Sequence, residues 1–116
     1  MTYFRILLIL VGLTFIPVQA WAEKYGAIAY SPASGKFGYS NNSQTRAGAE
    51  RLALYNCRSG DVRIAIWVKN GWAVVYRNST GAWNSAWSSE SLNTAKAIAR
   101  AKVPNGQLVC WVYSGK

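Results

Sequence analysis

Two periodicities alternate along this chain. Tyr25–Tyr30 (YGAIAY) is a short extended run, Ser31–Gly35 (SPASG) a turn marked by its Pro and Gly, and Lys36–Ser40 a second extended run. The spacing then changes. Ala49, Leu52, Ala53 and Cys57 fall at i, i+3, i+4 and i+8, one face of a helix that Ser43 can cap and that Arg58-Ser59-Gly60 ends. From Val62 to Lys69 the period returns to two: Val62, Ile64, Ile66 and Val68 share one face, and Arg63, Ala65, Trp67 and Lys69 the other. Asn70-Gly71 is a tight hairpin signal. The order then recurs. Trp72–Arg77 and Ala82–Trp87 are strands around the Asn78–Gly81 turn, and Ala95, Ile98, Ala99 and Val103 form a helix face. Pro104-Asn105-Gly106 stops that helix, and Leu108, Cys110 and Val112 alternate with Val109, Trp111 and Tyr113.

The recurrence has a register. Residues 25–70 overlay 71–116 without a gap, and Ala27 meets Ala73, Tyr30 meets Tyr76, Gly35 meets Gly81, Ala49 meets Ala95, and Ala53 meets Ala99. The expected architecture is α+β: a duplicated β-β-α-β unit forming a mostly antiparallel sheet with two helices on one face.

The first 22 residues stand outside this pattern. Met1–Arg5 carries one positive charge, Ile6–Val18 is an apolar run, and Ala20-Trp21-Ala22 is a small-x-small cleavage site. This is the layout of a removed signal peptide. The apolar run is shorter than the ~20 residues of a membrane span. Cleavage after Ala22 is the first choice and after Ala20 the alternative. Residues 23–116 then form a single α+β domain of two repeats, periplasmic or secreted, with no transmembrane anchor.

Composition sharpens this picture mainly by exclusion. The 116 residues include 13 Lys and Arg against 4 Asp and Glu, no His, two Cys, six Trp and seven Tyr. Without His, neither the usual zinc and haem ligand sets nor a Ser-His-Asp or Cys-His nucleophile can be assembled. No metal or cofactor is expected. Glu23, Glu50, Asp61 and Glu90 are scattered over terminus, helix, loop and helix start, so no pair is expected to converge for hydrolysis. Glu50 at i+4 from Arg46 reads as a surface pair, and Glu90 as an acid in a first helical turn. No phosphate loop or nucleophile elbow is present, and the chain is not expected to be an enzyme.

The opening Tyr25-Gly26-Ala27-Ile28-Ala29-Tyr30-Ser31-Pro32, then Gly35 and Gly38-Tyr39-Ser40, resembles a family of small exported bacterial proteins known only as a domain of unknown function. So do the Ala-rich helix ending in Cys57 and Trp67 followed by Asn70-Gly71. The resemblance implies an envelope or secreted location and brings no catalytic residue. Members often carry further cysteines, where this chain holds Val62, Trp72 and Val103.

Cys57 and Cys110 are an even pair in an exported domain, which favours a bridge worth about 4 kcal/mol on the chain-entropy model. Two buried thiols are the alternative. If Val62, Ile64, Ile66 and Cys110 face the helices, the opposite sheet face carries Arg63, Trp67, Lys69, Trp111 and Tyr113. Those side chains are the candidate binding residues, because Trp, Tyr and Arg are enriched at interfaces. Ordinary cross-strand packing is the plain alternative.

Removal of residues 1–22 leaves twelve basic and four acidic side chains, a charge of +8 that points to an anionic partner or surface. The leading expectation is a non-catalytic exported protein that binds another envelope or secreted protein, as an immunity or inhibitor module does. The alternative is a module for polyanionic glycan, lipopolysaccharide or a membrane surface. Nucleic acid is the poorer candidate, since no nucleic-acid signature is present. The sequence leaves the oligomeric state open.

Overall fold

The computed structural model describes residues 24–115. The proposed signal peptide lies outside them. The chain order is β1 (Tyr25–Tyr30), β2 (Phe37–Ser43), α1 (Arg46–Cys57), β3 (Arg63–Lys69), β4 (Gly71–Arg77), β5 (Trp83–Ser88), α2 (Leu92–Lys102) and β6 (Gln107–Ser114). The α+β class and the repeated β-β-α-β order are as the periodicity implies.

The sheet is not the single one expected. The strands form two antiparallel three-stranded sheets, ordered β2-β1-β3 and β5-β4-β6. The Asn70-Gly71 pair is therefore no hairpin: β3 and β4 belong to different sheets. A two-residue type I′ hairpin needs positive φ at both residues, and only Asn70 has it, at 55°. A Cβ on Gly71 would lie 2.7 Å from the Ser88 carbonyl oxygen, so the chain crosses between sheets where only glycine fits.

The sheets pack face to face. Ile28, Tyr30 and Val68 of the first meet Ala73, Val75, Cys110 and Val112 of the second, and Tyr30 packs on Trp83 at 5.1 Å between ring centroids. Each outer face takes its own helix. Ala27 and Ala29 pack on Ala49, Ala53 and Cys57 of α1, and Val74, Tyr76 and Ala86 on Ala95, Ala99 and Val103 of α2. The helices thus lie on opposite sides of a four-layer α-β-β-α stack, not on one face. Both sheets are apolar on both faces, which a one-sided sheet would not require. The small residues of α1 let it press onto β2: a Cβ on Gly38 would collide with the Cys57 backbone nitrogen.

Both helices are capped by side-chain oxygens. Thr45, not Ser43, accepts from the Gly48 amide at 3.0 Å, because β2 runs on through Ser43. Ser91 accepts from the Thr94 amide at 3.0 Å, so Glu90 precedes the cap rather than occupying the first turn. Arg46 and Glu50 pair at 3.0 Å as their spacing implies.

Each third strand carries a bulge. Ile28 pairs with Ile66 while the adjacent Ala29 pairs with Ile64, so Ala65 is extra. Likewise Val75 pairs with Cys110 and Tyr76 with Leu108, leaving Val109 extra. A bulge reverses the facing of everything beyond it. The two bulges are equivalent, and they reset the repeat's register. The ladder pair Ile28–Ile66 matches Val75–Cys110, whereas the helix positions Ala49 and Ala53 match Ala95 and Ala99. The gap-free overlay therefore holds for the helices and for β2 with β5, but not for the other strands. Ala27 and Tyr76 face helices, while Ala73 and Tyr30 face the opposing sheet. The identities Ala27/Ala73 and Tyr30/Tyr76 do not mark equivalent places.

Candidate functional site

The five candidate binding residues do not share a face. Trp67 and Lys69 lie on β3, while Trp111 and Tyr113 lie on β6 of the other sheet. Trp67 pairs with Ala27 and Trp111 with Val74, so both look outward, on the helix sides of their sheets. Arg63 pairs with Tyr30 before the Ala65 bulge and lies on the opposite side of its sheet from Trp67. The bulge is the cause. Val62 and Ile64 face α1, but Ile66 packs on the core between the sheets.

The cysteines are free, which corrects the expected bridge. Cys57 is buried between α1 and the outer face of the first sheet, whereas Cys110 is buried between the two sheets. A layer of sheet separates them, and a disulfide needs Cα atoms within roughly 7 Å. Burial pushes the Cys110 thiol up to about 12. Burial, then the nearby Asp61 charge, raises Cys57. Both are small apolar side chains of the core and poor nucleophiles at neutral pH.

Two seams run along the edges of the stack, where strands of different sheets lie side by side: β3 with β5, and β2 with β6. They are equivalent under the repeat. The β3/β5 seam holds a groove of about 460 Å³ lined by Ala65, Ile66, Trp67, Val68, Lys69 and Trp87. Trp87 is 55 % exposed and Trp67 36 % exposed. The Arg46 guanidinium sits 4.4 Å from the Trp67 ring centroid, and Tyr25 lies 6.1 Å away on the same face. Ser85 Oγ donates across the seam to the Ala65 carbonyl at 3.1 Å, and Lys102 Nζ donates to the Ser85 carbonyl at 3.0 Å.

The β2/β6 seam is lined by Phe37, Tyr39 and Asn41 against Val109–Tyr113. It is knitted at one end. Asn41 Nδ2 donates to the Tyr113 carbonyl at 3.4 Å, the Asn42 amide to Ser114 Oγ at 3.0 Å, and the Gly115 amide to Asn42 Oδ1 at 3.0 Å. Asn42 reaches over because β2 is irregular there, with φ 55° at Asn42. Strand β5 pairs regularly with β4 and carries Trp87 in the place of Asn41.

Trp87 was not among the sequence-based candidates. Its signal was the Trp83-x-Ser85-x-Trp87 alternation, which puts two Trp on one face of β5. Trp83 fills the inter-sheet core, and Trp87 extends beyond it.

The polar chemistry at the β1–β2 turn is structural. Asp61 accepts from Ser31 Oγ, from Ser59 Oγ at 3.3 Å and from the Ala33 amide at 2.9 Å. The Ser31 bond, then the Ala33 bond, holds the Asp61 carboxyl below the usual carboxylate range. It ties the turn to the segment after α1. Among the described residues no group of three His, Cys, Asp or Glu could hold a metal, and no helix is long and apolar enough to cross a membrane.

Comparison with known proteins agrees with this architecture. The NMR structure of Rv1813c from Mycobacterium tuberculosis is similar, with a TM-score of 0.62 and 25 % identity over 78 % of this chain and 74 % of that one. No curated protein matches the chain. A family model described as domain of unknown function DUF4189 matches residues 25–114, nearly the whole of the two units, and the chain belongs to that family.

Proposed function

We propose that the chain is a non-catalytic binding protein of the bacterial envelope, exported and freed of residues 1–22. Its ligand is another envelope or secreted protein, bound as an immunity or inhibitor module binds its target. The observation that carries this reading is the β3/β5 groove. Two accessible tryptophans flank an apolar floor of Ile66 and Val68, with Lys69 on its rim. Buried aromatic anchors inside a charged rim are the usual composition of a protein-binding hot spot.

The test is affinity isolation from solubilised envelope at low and high salt. Wild type and a Leu108→Ala/Trp111→Ala variant should retain the same protein in stoichiometric amount. A Trp67→Ala/Trp87→Ala variant should lose it. Equal retention by all three would overturn the assignment of the groove.

A second reading has its own observation. Helix α2 lies over β4 and β5 and leaves the outer side of β6 uncovered, with Leu108 and Trp111 exposed. Arg100 reaches the Tyr76 hydroxyl at 3.3 Å, beside Leu108 in the ladder. That surface suits lipopolysaccharide, a polyanionic glycan or a membrane surface. Its binding would weaken steeply with salt, since exposed charges are screened over about 8 Å at physiological ionic strength.

A further inference from the structure

We propose that a polar cavity where β4 ends and β6 begins is a site for one acidic sugar residue, whose carboxylate is held by Arg77. The site shares no lining residue with the β3/β5 groove and stands whether or not that groove binds a protein. Three observations carry it.

The first is a walled space. The cavity has a volume of about 460 Å³, within the roughly 300–1,000 Å³ of small-molecule sites. Its walls are the β4–β5 turn and the loop after α2, and Asn78 ties them together. Asn78 Nδ2 donates to the Pro104 carbonyl at 2.9 Å, and Asn78 Oδ1 accepts from the Thr80 and Ala82 amides, each at 3.1 Å. The Gly106 amide donates to the Val103 carbonyl at 2.9 Å and fixes the second wall. Walls that are set before binding lose little freedom when a ligand enters.

The second is a set of unspent polar groups. The Arg77 side chain reaches toward the other sheet, where a Cβ on Gly35 would stand 2.6 Å from Nη1. Among the described residues no hydrogen bond or ion pair engages its guanidinium, and no Asp or Glu lines the cavity. A guanidinium fork matches a carboxylate with two parallel hydrogen bonds. Asn105 and Gln107, both exposed, add amides that donate and accept. Sugar hydroxyls also donate and accept, whereas a bare inorganic anion mainly asks for donors. Leu108 supplies an apolar side for the C–H face of a sugar ring. One guanidinium, two amides and one apolar side chain therefore fit a hydroxylated carboxylate better than phosphate.

The third comes from the repeat. The ladder pair Ile28–Ile66 matches Val75–Cys110, so Arg77, two residues past Val75, takes the place of Tyr30, two past Ile28. Tyr30 is 1 % exposed and packs on Trp83 at 5.1 Å, so the first unit fills its corner with a core side chain. The second unit puts a cation beside a cavity at the same place and gives up that packing. Folding alone does not ask for the exchange, since the first unit folds without it.

The test uses 15N-labelled protein and four probes: methyl glucuronide, methyl glucoside, acetate and inorganic phosphate. At about 10 mM methyl glucuronide should shift the side-chain amide signals of Asn105 and Gln107 and the Arg77 Nε–H signal. The glucoside lacks the carboxylate and acetate lacks the ring, so each should bind about tenfold more weakly or worse, as should phosphate. Arg77→Gln should abolish the response. Arg77→Lys should weaken it about tenfold, because an ammonium has no fork. Gln107→Ala, at an exposed position that leaves the spectrum of the folded protein intact, should weaken it as well. Arg51→Gln, on the outer side of α1, should leave it unchanged and so separate the cavity from general positive charge.

Unmoved Asn105, Gln107 and Arg77 signals would overturn the proposal. So would acetate or phosphate binding there as tightly as the glucuronide, which would mark a plain anion site. Equal binding of the glucoside would remove the carboxylate from the account, and equal loss in Arg51→Gln would remove the cavity. Each of these outcomes leaves the β3/β5 groove to its own test.

Discussion

At one edge of the stack, Asn41 and Asn42 reach from β2 to the backbone and side chains of Tyr113–Gly115. At the other, Trp87 stands where Asn41 would, and Ser85 Oγ donates across to the Ala65 carbonyl. The two seams come from the same repeated unit and have the same strand arrangement. Each neutral hydrogen bond is worth about 1 kcal/mol net, so the knitted seam contributes stability that the open one forgoes. Exposed aromatics line both seams, Phe37 and Tyr39 on the knitted one and Trp67 and Trp87 on the open one. The difference between the seams therefore lies in the hydrogen bonds that close one of them and not in aromatic content.

The largest expected effect lies where the two units differ in packing. Gly38 touches the α1 backbone, whereas its counterpart Asn84 on β5 is exposed. Gly38→Val should cost about 3 kcal/mol or more by forcing α1 off its sheet. Asn84→Val should stay within about 0.5 kcal/mol. Urea titrations of both variants measure this. Equal effects would show that the α1 contact is not the tight one.

The knitted seam comes next. Asn42→Ala removes the acceptor for the Gly115 amide and places a Cβ residue without side-chain hydrogen bonding at φ 55°. It should destabilise by about 1–2 kcal/mol. Trp87→Ala, from a side chain more than half exposed, should cost less than that. The reverse order would mean that the open seam is the structural one.

The free thiols give a sharp chemical contrast. In the native protein neither Cys57 nor Cys110 should react with iodoacetamide. After unfolding without reductant both should, and reductant should leave the melting temperature unchanged. Mass analysis of the alkylated protein decides this. No modification after unfolding would reveal a bridge.

The smallest effect is electrostatic. Asp61 has a lowered pKa in the folded state, so its contribution is present above the unfolded value of about 4 and is lost as pH falls through the folded pKa. Asp61→Asn should therefore lower stability at neutral pH, with the gap to wild type closing in acid. A gap that stays constant with pH would assign Asp61 a purely steric role.

These outcomes bear on what was legible in the chain. The helix faces were readable because Ala49, Ala53 and Cys57, and Ala95, Ala99 and Val103, keep a 3.6-residue spacing that nothing interrupts. The turns and the duplicated unit order were readable from Pro, Gly and Asn. The division into two sheets was not. Val62, Ile64, Ile66 and Val68 alternate perfectly in sequence, yet the Ala65 bulge turns the first two toward α1 and the last two toward the other sheet. Val109 does the same on β6. A bulge adds one residue that looks like any other strand residue, so periodicity alone cannot place it. The five candidate residues are accordingly divided between two sheets and do not form one face. Trp67 and Lys69 line the open seam, Trp111 borders the knitted one, and Trp87 completes the groove from a strand that face-counting did not connect to β3.

The proposed binding surface is the open seam and not its knitted counterpart. Oxidative footprinting of tryptophans, in intact envelope and in the purified protein, tests it most directly. Trp67 and Trp87 should become protected in the envelope while Trp111 is oxidised at the same rate in both. Protection of Trp111 with Trp67 and Trp87 unchanged would contradict it and move the binding surface to the outer side of β6.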